Sequence, residues 1–212
     1  MRNRDDWMEL ELVKQTNRLK YIDTVINHKV RCDFPPRRVF IEPTNACNLN
    51  CVHCTHDGTM TRPIRYLDMD LFRKVMDDIA PWNRTTEVCL FQQGEPLLHK
   101  DIVEMARIAG TEKDFFTKMN TNGVLLTKEL GAELIKARLD YLVFSLDAIN
   151  PETYKKIKRR PYFERVINNI LDYLEVWGDL DTGDTRNYFA CDVVILEERA
   201  NREEIPAIKE ML

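Results

Sequence analysis

Five short apolar runs recur along this chain, at 39–41, 88–91, 115–119, 141–146 and 188–195, and each is followed by a stretch with helical spacing. Strand-length runs that alternate with amphipathic helical patterns predict a parallel sheet with helices outside it. Helix punctuation supports the reading. Asp68 or Asp70 can cap a helix carrying Leu71, Phe72, Val75, Met76 and Ile79, and Pro81 stops it. Ile102, Val103, Met105, Ala106 and Ala109 mark the next helix, with Gly110 as its stop. Thr127 caps a third, bearing Leu130, Leu134 and Ile135, and Asn150 followed by Pro151 opens a fourth with Tyr154 and Ile157. A further helix is expected at about 163–177, a polar turn at 178–185 and a last helix at 202–212. The run at 141–146 is nearly all apolar, as a strand buried on both faces requires.

Ahead of this alternation, residues 5–29 read as a helix that packs on the main body, with Trp7, Leu10, Val13, Ile22, Val25 and Ile26 at helical spacing. Pro35 and Pro36 break it. The division is therefore an N-terminal helical extension at 1–36 and one α/β domain at 37–212. At 212 residues the chain is long enough for a substantial core. No apolar run approaches the length needed to span a bilayer, and the charged N-terminus leads into no signal-type core. A net charge of −4 gives no electrostatic case for nucleic acid or an anionic membrane. The expectation is a cytoplasmic protein without nucleic-acid or membrane partners.

Three of the six cysteines, Cys47, Cys51 and Cys54, lie within eight residues at spacing Cys-x3-Cys-x2-Cys, directly after the first apolar run. Clustered thiols in a cytosolic chain point to metal rather than disulfides. Three thiolates on one tight loop are expected to converge on a common point, which suits a soft metal or an iron–sulfur cluster. His53 and His56 keep a Cys3His zinc site open as the alternative. Three further motifs close later strands: Gln93-Gly94-Glu95-Pro96, Asn120-Thr121-Asn122-Gly123 and Ser145-Leu146-Asp147. In strand–helix folds the reactive groups gather at the C-terminal ends of the strands, so these loops share one face.

The cysteine spacing, followed in order by those three stretches, resembles the radical S-adenosylmethionine (SAM) superfamily over roughly residues 37–212. The resemblance implies a partial (β/α) barrel of parallel strands. Five of the usual six units are present here, so the domain reads as truncated at its C-terminal end. It implies that Cys47, Cys51 and Cys54 hold a [4Fe–4S] cluster whose fourth iron binds the amino and carboxylate groups of SAM. A reduced cluster would then cleave SAM to methionine and a 5′-deoxyadenosyl radical that takes hydrogen from a substrate. On the same ground Gly94 and Glu95 meet the SAM amino group, and Ser145 and Asp147 meet the ribose or carboxylate. Asn122 contacts SAM or substrate, and His53 takes the place of an aromatic residue near the adenine. Gln93 departs from the family's usual glycine. An external electron donor such as flavodoxin or ferredoxin and an unknown substrate, with peptide, protein or carbohydrate favoured, complete the expectation. The alternative is a non-catalytic zinc or iron–sulfur module, or an electron-transfer module.

The remaining signals are bland. Glutamate 95 alone could be an exposed turn residue, Ser145 could bond backbone, and Asp147 could cap the next helix. The basic run Lys155-Lys156-Ile157-Lys158-Arg159-Arg160 reads as a solvated helix end able to bind an anionic substrate or partner peptide. Cys89 and Cys191 read as core residues, Cys32 as a linker residue, and His28 and His99 as surface or cap residues.

Overall fold

Five parallel strands pair in the order of the chain: β1 (Arg38–Phe40), β2 (Glu87–Cys89), β3 (Phe116–Thr121), β4 (Tyr141–Ser145) and β5 (Ala190–Val194). The computed structural model describes residues 4–56, 58–83, 85–179 and 190–207. Helices return the chain between strands: α2 (Met69–Ile79), α3 (Ile102–Arg107), α4 (Lys128–Lys136), α5 (Pro151–Lys158) and α6 (Phe163–Asp179). They follow α1 (Arg4–Ile26). This is the α/β, parallel, five-unit arrangement expected from the alternation. Residues 188 and 189 of the fifth apolar run lie outside the described residues, as does the last helix beyond Ala207.

Register explains which side chains become core. Leu90, Met119, Leu142 and Phe144 point to the helix-covered side and are fully buried there. Against them pack Phe72 and Met76 of α2, Met105 of α3, Leu134 of α4, Tyr154 of α5, and Val166 and Tyr173 of α6. In-register neighbours on the other side are Phe40, Cys89, Lys118 and Tyr141, where Phe40 is exposed and the Lys118 ammonium sits 4.6 Å from the Tyr141 ring centroid. The helix starts follow side-chain chemistry. Asp68 accepts from the Asp70 and Leu71 amides, Thr127 from Leu130, and Asn150 from Thr153.

Three expectations are corrected. The N-terminal helix forms, but its described apolar residues, including Leu12, Leu19, Val25 and Ile26, stay exposed. They are spread around the helix with charged residues between them, so no single stripe exists to bury. Gly110 does not end α3 as a left-handed cap. The helix widens into a π-turn at Ile108–Glu112, and a Cβ on Gly110 would lie 2.4 Å from the Arg138 carbonyl oxygen. Close approach of backbone, not turn conformation, requires this glycine. His99 is buried rather than superficial: Nε2 lies 2.9 Å from the Leu67 carbonyl, and Nδ1 accepts from the Asp101 amide at 3.1 Å. Cys89 is buried as expected, whereas Cys191 is only half-buried. Among the described residues, no helix is long and apolar enough to cross a membrane.

Candidate metal and cofactor site

The cysteine loop leaves β1 and is folded back on itself by short polar residues. Asn45 donates to the Pro63 carbonyl at 3.0 Å and accepts from the Arg65 amide at 2.7 Å. Thr44 donates to the Arg65 carbonyl at 2.7 Å and accepts from the Ala46 amide at 3.0 Å. Within it the Leu49 amide points at Cys47 Sγ (3.5 Å) and the His56 amide at Cys54 Sγ (3.4 Å). Amide donors of this kind stabilise sulfur that carries negative charge. Burial pushes the Cys47 thiol from its ordinary value of 9.0 up to about 11, with the charges of Glu95, Cys51 and Cys54 adding to it. Burial also raises Cys51, with Lys158 opposing. In metal-free protein, alkylation of Cys47 by iodoacetamide is therefore expected to accelerate between about pH 9 and pH 11. Mass spectrometry of the modified peptide checks this, with exposed Cys32 as comparator.

Among the described residues, no three His, Cys, Asp or Glu side chains are gathered closely enough to hold a single metal ion. A cluster does not need that, because each thiolate binds a different iron. Both histidines are also turned to other partners. His56 Nε2 lies 2.9 Å from the Asn45 carbonyl oxygen. His53 sits between Asp147 (Nε2 to Oδ2, 3.7 Å) and Glu198 (Nδ1 to Oε1, 3.4 Å). A thiolate-only donor set is what an iron–sulfur cluster takes, and it leaves a Cys3His zinc site without its histidine.

The three later motifs meet this loop. Gly94 is pressed against it: an added Cβ would lie 2.2 Å from the Thr44 carbonyl oxygen and 2.6 Å from that of Ala46. The next amide, of Glu95, donates to the Ala46 carbonyl at 2.8 Å. The Glu95 side chain is no exposed turn residue. It is buried and accepts from Thr121 Oγ1 (2.7 Å), the Asn122 amide (2.8 Å) and the Leu97 amide (3.1 Å). Burial raises its carboxyl pKa, opposed by these hydrogen bonds and by Lys158. Asn122 continues the chain of contacts, donating through Nδ2 to Asn48 Oδ1 inside the cysteine motif at 2.7 Å. Gly123 follows with φ +75°, where a side chain would be strained. Gln93 Oε1 accepts from Thr55 at 2.7 Å, just beyond Cys54.

At the end of β4, Ser145 Oγ lies 3.4 Å from both Asp147 Oδ2 and Lys158 Nζ. Asp147 does not cap α5, since Asn150 does. It adopts φ +62°, accepts from the Leu196 amide at 2.8 Å, and pairs with Lys158 at 2.5 Å. Asn201, which follows β5 and is fully buried, donates to the Asp147 carbonyl at 2.9 Å. Lys158 is the residue of this site that the sequence reading placed in the solvated run. Its side chain is 2% exposed, so the basic run is not uniformly solvated. Its signal was present: Tyr154, Ile157 and Lys158 share one helix face, and all three are buried. The Tyr154 hydroxyl and Asn120 Oδ1 are buried without a hydrogen-bond partner among the described residues. Such orphaned groups at a site are expected where a ligand completes them.

Comparison with known proteins agrees with this geometry. A family model described as Radical SAM superfamily matches residues 41–184. The AdoMet-dependent heme synthase of Methanosarcina barkeri is 35% identical over 136 residues, covering 64% of this chain and 38% of that protein. The GTP 3',8-cyclase of Chlorobaculum tepidum is 34% identical over 174 residues, covering 82% and 49%. The chain thus spans less than half the length of these two relatives. Among solved structures, Streptococcus suis SuiB bound to S-adenosylmethionine superimposes with a TM-score of 0.62 at 19% identity, over 92% of this chain and 41% of that one.

Proposed function

Because this chain belongs to the radical SAM superfamily, we propose that it is the core of an enzyme that cleaves SAM reductively at a [4Fe–4S] cluster held by Cys47, Cys51 and Cys54. The observation that carries the reading is the tying of the cysteine loop to the ends of β2 and β3 through Gly94, Glu95 and Asn122. When bound, the cluster would supply one electron and SAM a cleavable S–C5′ bond, the source of hydrogen abstraction from the substrate.

The chain's own residues hold and orient. Cys47, Cys51 and Cys54 would hold the cluster through their thiolates. The carboxylate of Glu95 is already spent on three donors, so it acts as a positioning residue. Backbone carbonyls of the Gly94–Glu95 turn would meet the SAM ammonium. Lys158, held between Ser145 and Asp147, would supply the cation for the methionine carboxylate, and Asp147 and Asn122 would form the walls around it. The His53 ring, flanked by Asp147 and Glu198, offers a flat face for the adenine.

A peptide, protein or carbohydrate is the expectation of the family resemblance, and the curated relatives are named for GTP and haem chemistry. A cytoplasmic setting is consistent with reduced clusters and free thiols.

Electron paramagnetic resonance on anaerobically reconstituted, dithionite-reduced protein tests the proposal. A [4Fe–4S] signal that changes when SAM is added is expected. Changing Cys47, Cys51 or Cys54 to alanine should remove that signal and bring 5′-deoxyadenosine formation to background. A cluster signal indifferent to SAM would point to an electron-transfer module, and stoichiometric zinc to a structural metal site.

A further inference from the structure

We propose that the Tyr154 hydroxyl donates a hydrogen bond to sulfur at the Cys51 corner of the cluster site, and so raises the reduction potential of a cluster bound there. The inference rests on the cluster assignment above. Its ground is a side chain that nothing else in the fold uses. Tyr154 is fully buried in α5, and its hydroxyl has no hydrogen-bond partner among the described residues. Burying a hydroxyl without a partner is unfavourable, so such a group marks an interaction still to be made. The ring is held edge-on to Phe163, with centroids 5.8 Å apart, which limits where the hydroxyl can point. The helix itself lies against the cysteine motif. The Val52 amide, next to Cys51, donates to the Ile157 carbonyl at 2.9 Å. Tyr154, Ile157 and Lys158 form the inward face of α5, and Tyr154 and Cys51 belong to one buried cluster.

The acceptors near the phenol are few. Its strongest electrostatic neighbour is Cys51, followed by Asp147 and Glu95. Both carboxylates are already committed. Asp147 accepts from Lys158, Ser145 and the Leu196 amide, and Glu95 from Thr121 and the amides of Asn122 and Leu97. The sulfur is less well served. Cys47 and Cys54 each face the amide two residues further on, of Leu49 and His56, whereas Cys51 Sγ has only its own amide among the described residues. The corner with the fewest donors thus stands beside a donor with no acceptor. Burial, with the charges of Cys51, Asp147 and Glu95 adding to it, raises the phenol above its ordinary pKa of 10.0, so the hydroxyl keeps its proton. Hydrogen bonds to the sulfurs are among the factors that set cluster potentials. A donor there favours the form with more negative charge, which is the one-electron-reduced one. The proton stays on the phenol oxygen, and no bond breaks.

Tyr154→Phe tests this, because it keeps the ring against Phe163 and removes only the oxygen. Tyr173→Phe is the control, since Tyr173 packs on Phe144 and Gly131 of the helix-covered side. Each protein is reconstituted and titrated with dithionite and mediators, without SAM, under paramagnetic-resonance detection. With iron content unchanged, Tyr154→Phe should lower the equilibrium constant for reduction at least about threefold, or about 28 mV at 59 mV per tenfold for one electron. Tyr173→Phe should leave it where it is. Double resonance on the reduced cluster should show one exchangeable proton coupling fewer in Tyr154→Phe. Urea unfolding of the metal-free proteins should give Tyr154→Phe a midpoint no lower than wild type, because the lost oxygen has no partner in the chain. An unchanged potential at full iron occupancy overturns the proposal. So does a shift that appears only once SAM is added, since the hydroxyl would then face SAM. A lower urea midpoint in the metal-free variant also overturns it, by showing a partner within the chain. Wild-type protein that takes up no cluster would instead sink the cluster reading, and the Tyr154 assignment with it.

Discussion

Replacing Gly94 with alanine is expected to strip most of the iron from the reconstituted protein. A Cβ there would stand 2.2 Å from one carbonyl oxygen of the cysteine loop and 2.6 Å from another. Neither obstacle is a flexible side chain, so the loop itself must move. Overpacking costs typically about 1–3 kcal/mol, and 1.4 kcal/mol is about a factor of ten in an equilibrium constant. Iron occupancy under limiting iron should therefore fall at least about tenfold. The loss should appear in iron and sulfide analysis and in the reduced paramagnetic signal. Gly178 in α6 is the internal control, because nothing lies within 4 Å of its added Cβ. Gly178→Ala should leave iron content unchanged and raise stability by about 0.4–1 kcal/mol. Full iron occupancy in Gly94→Ala would mean that the loop is not seated on β2 as described.

The second large effect concerns the pair inside the helix-covered wall. Lys158→Met removes the partner of an Asp147 carboxylate that is 1% exposed. Breaking a buried pair from one side costs about 3–5 kcal/mol, a large share of a typical domain's stability of about 5–15 kcal/mol. The unfolding midpoint in urea should drop accordingly. Adding Asp147→Asn in the same chain should restore most of it, since a neutral amide oxygen can still accept from the Leu196 amide. The double variant should nevertheless bind SAM at least about tenfold more weakly, because the cation proposed for its carboxylate is gone. Recovery of stability without recovery of SAM affinity separates the two roles. A single variant within about 1 kcal/mol of wild type would show that the pair is solvated and contributes little.

Local signals carried much of this molecule. The alternation of apolar runs with capped helices predicted five parallel strands, and Asp68, Thr127 and Asn150 cap where their side chains allow. Such features depend on neighbours within a few residues, which a sequence displays directly. The cysteine spacing belongs to the same class of information, because one loop supplies all three thiols. The helix of the N-terminal extension was legible, yet the exposure of its described apolar residues was not, since they stand at helical spacings without forming one face.

What the sequence determined by itself is the strand–helix order, the helix starts and the clustered thiols, all set by periodicity and short-range hydrogen bonding. Only the tertiary structure decided how the motifs divide their work. Glu95 reaches Thr121 across 26 residues, and Asn122 reaches Asn48 across 74. Those contacts make the Glu95 carboxylate a brace between loops. One lysine of a basic run was drawn inside while its neighbours stayed in water, because Asp147 was waiting on another strand end. A charge is buried only where an opposite charge compensates its lost hydration, and that partner is chosen by the fold rather than by proximity in the chain.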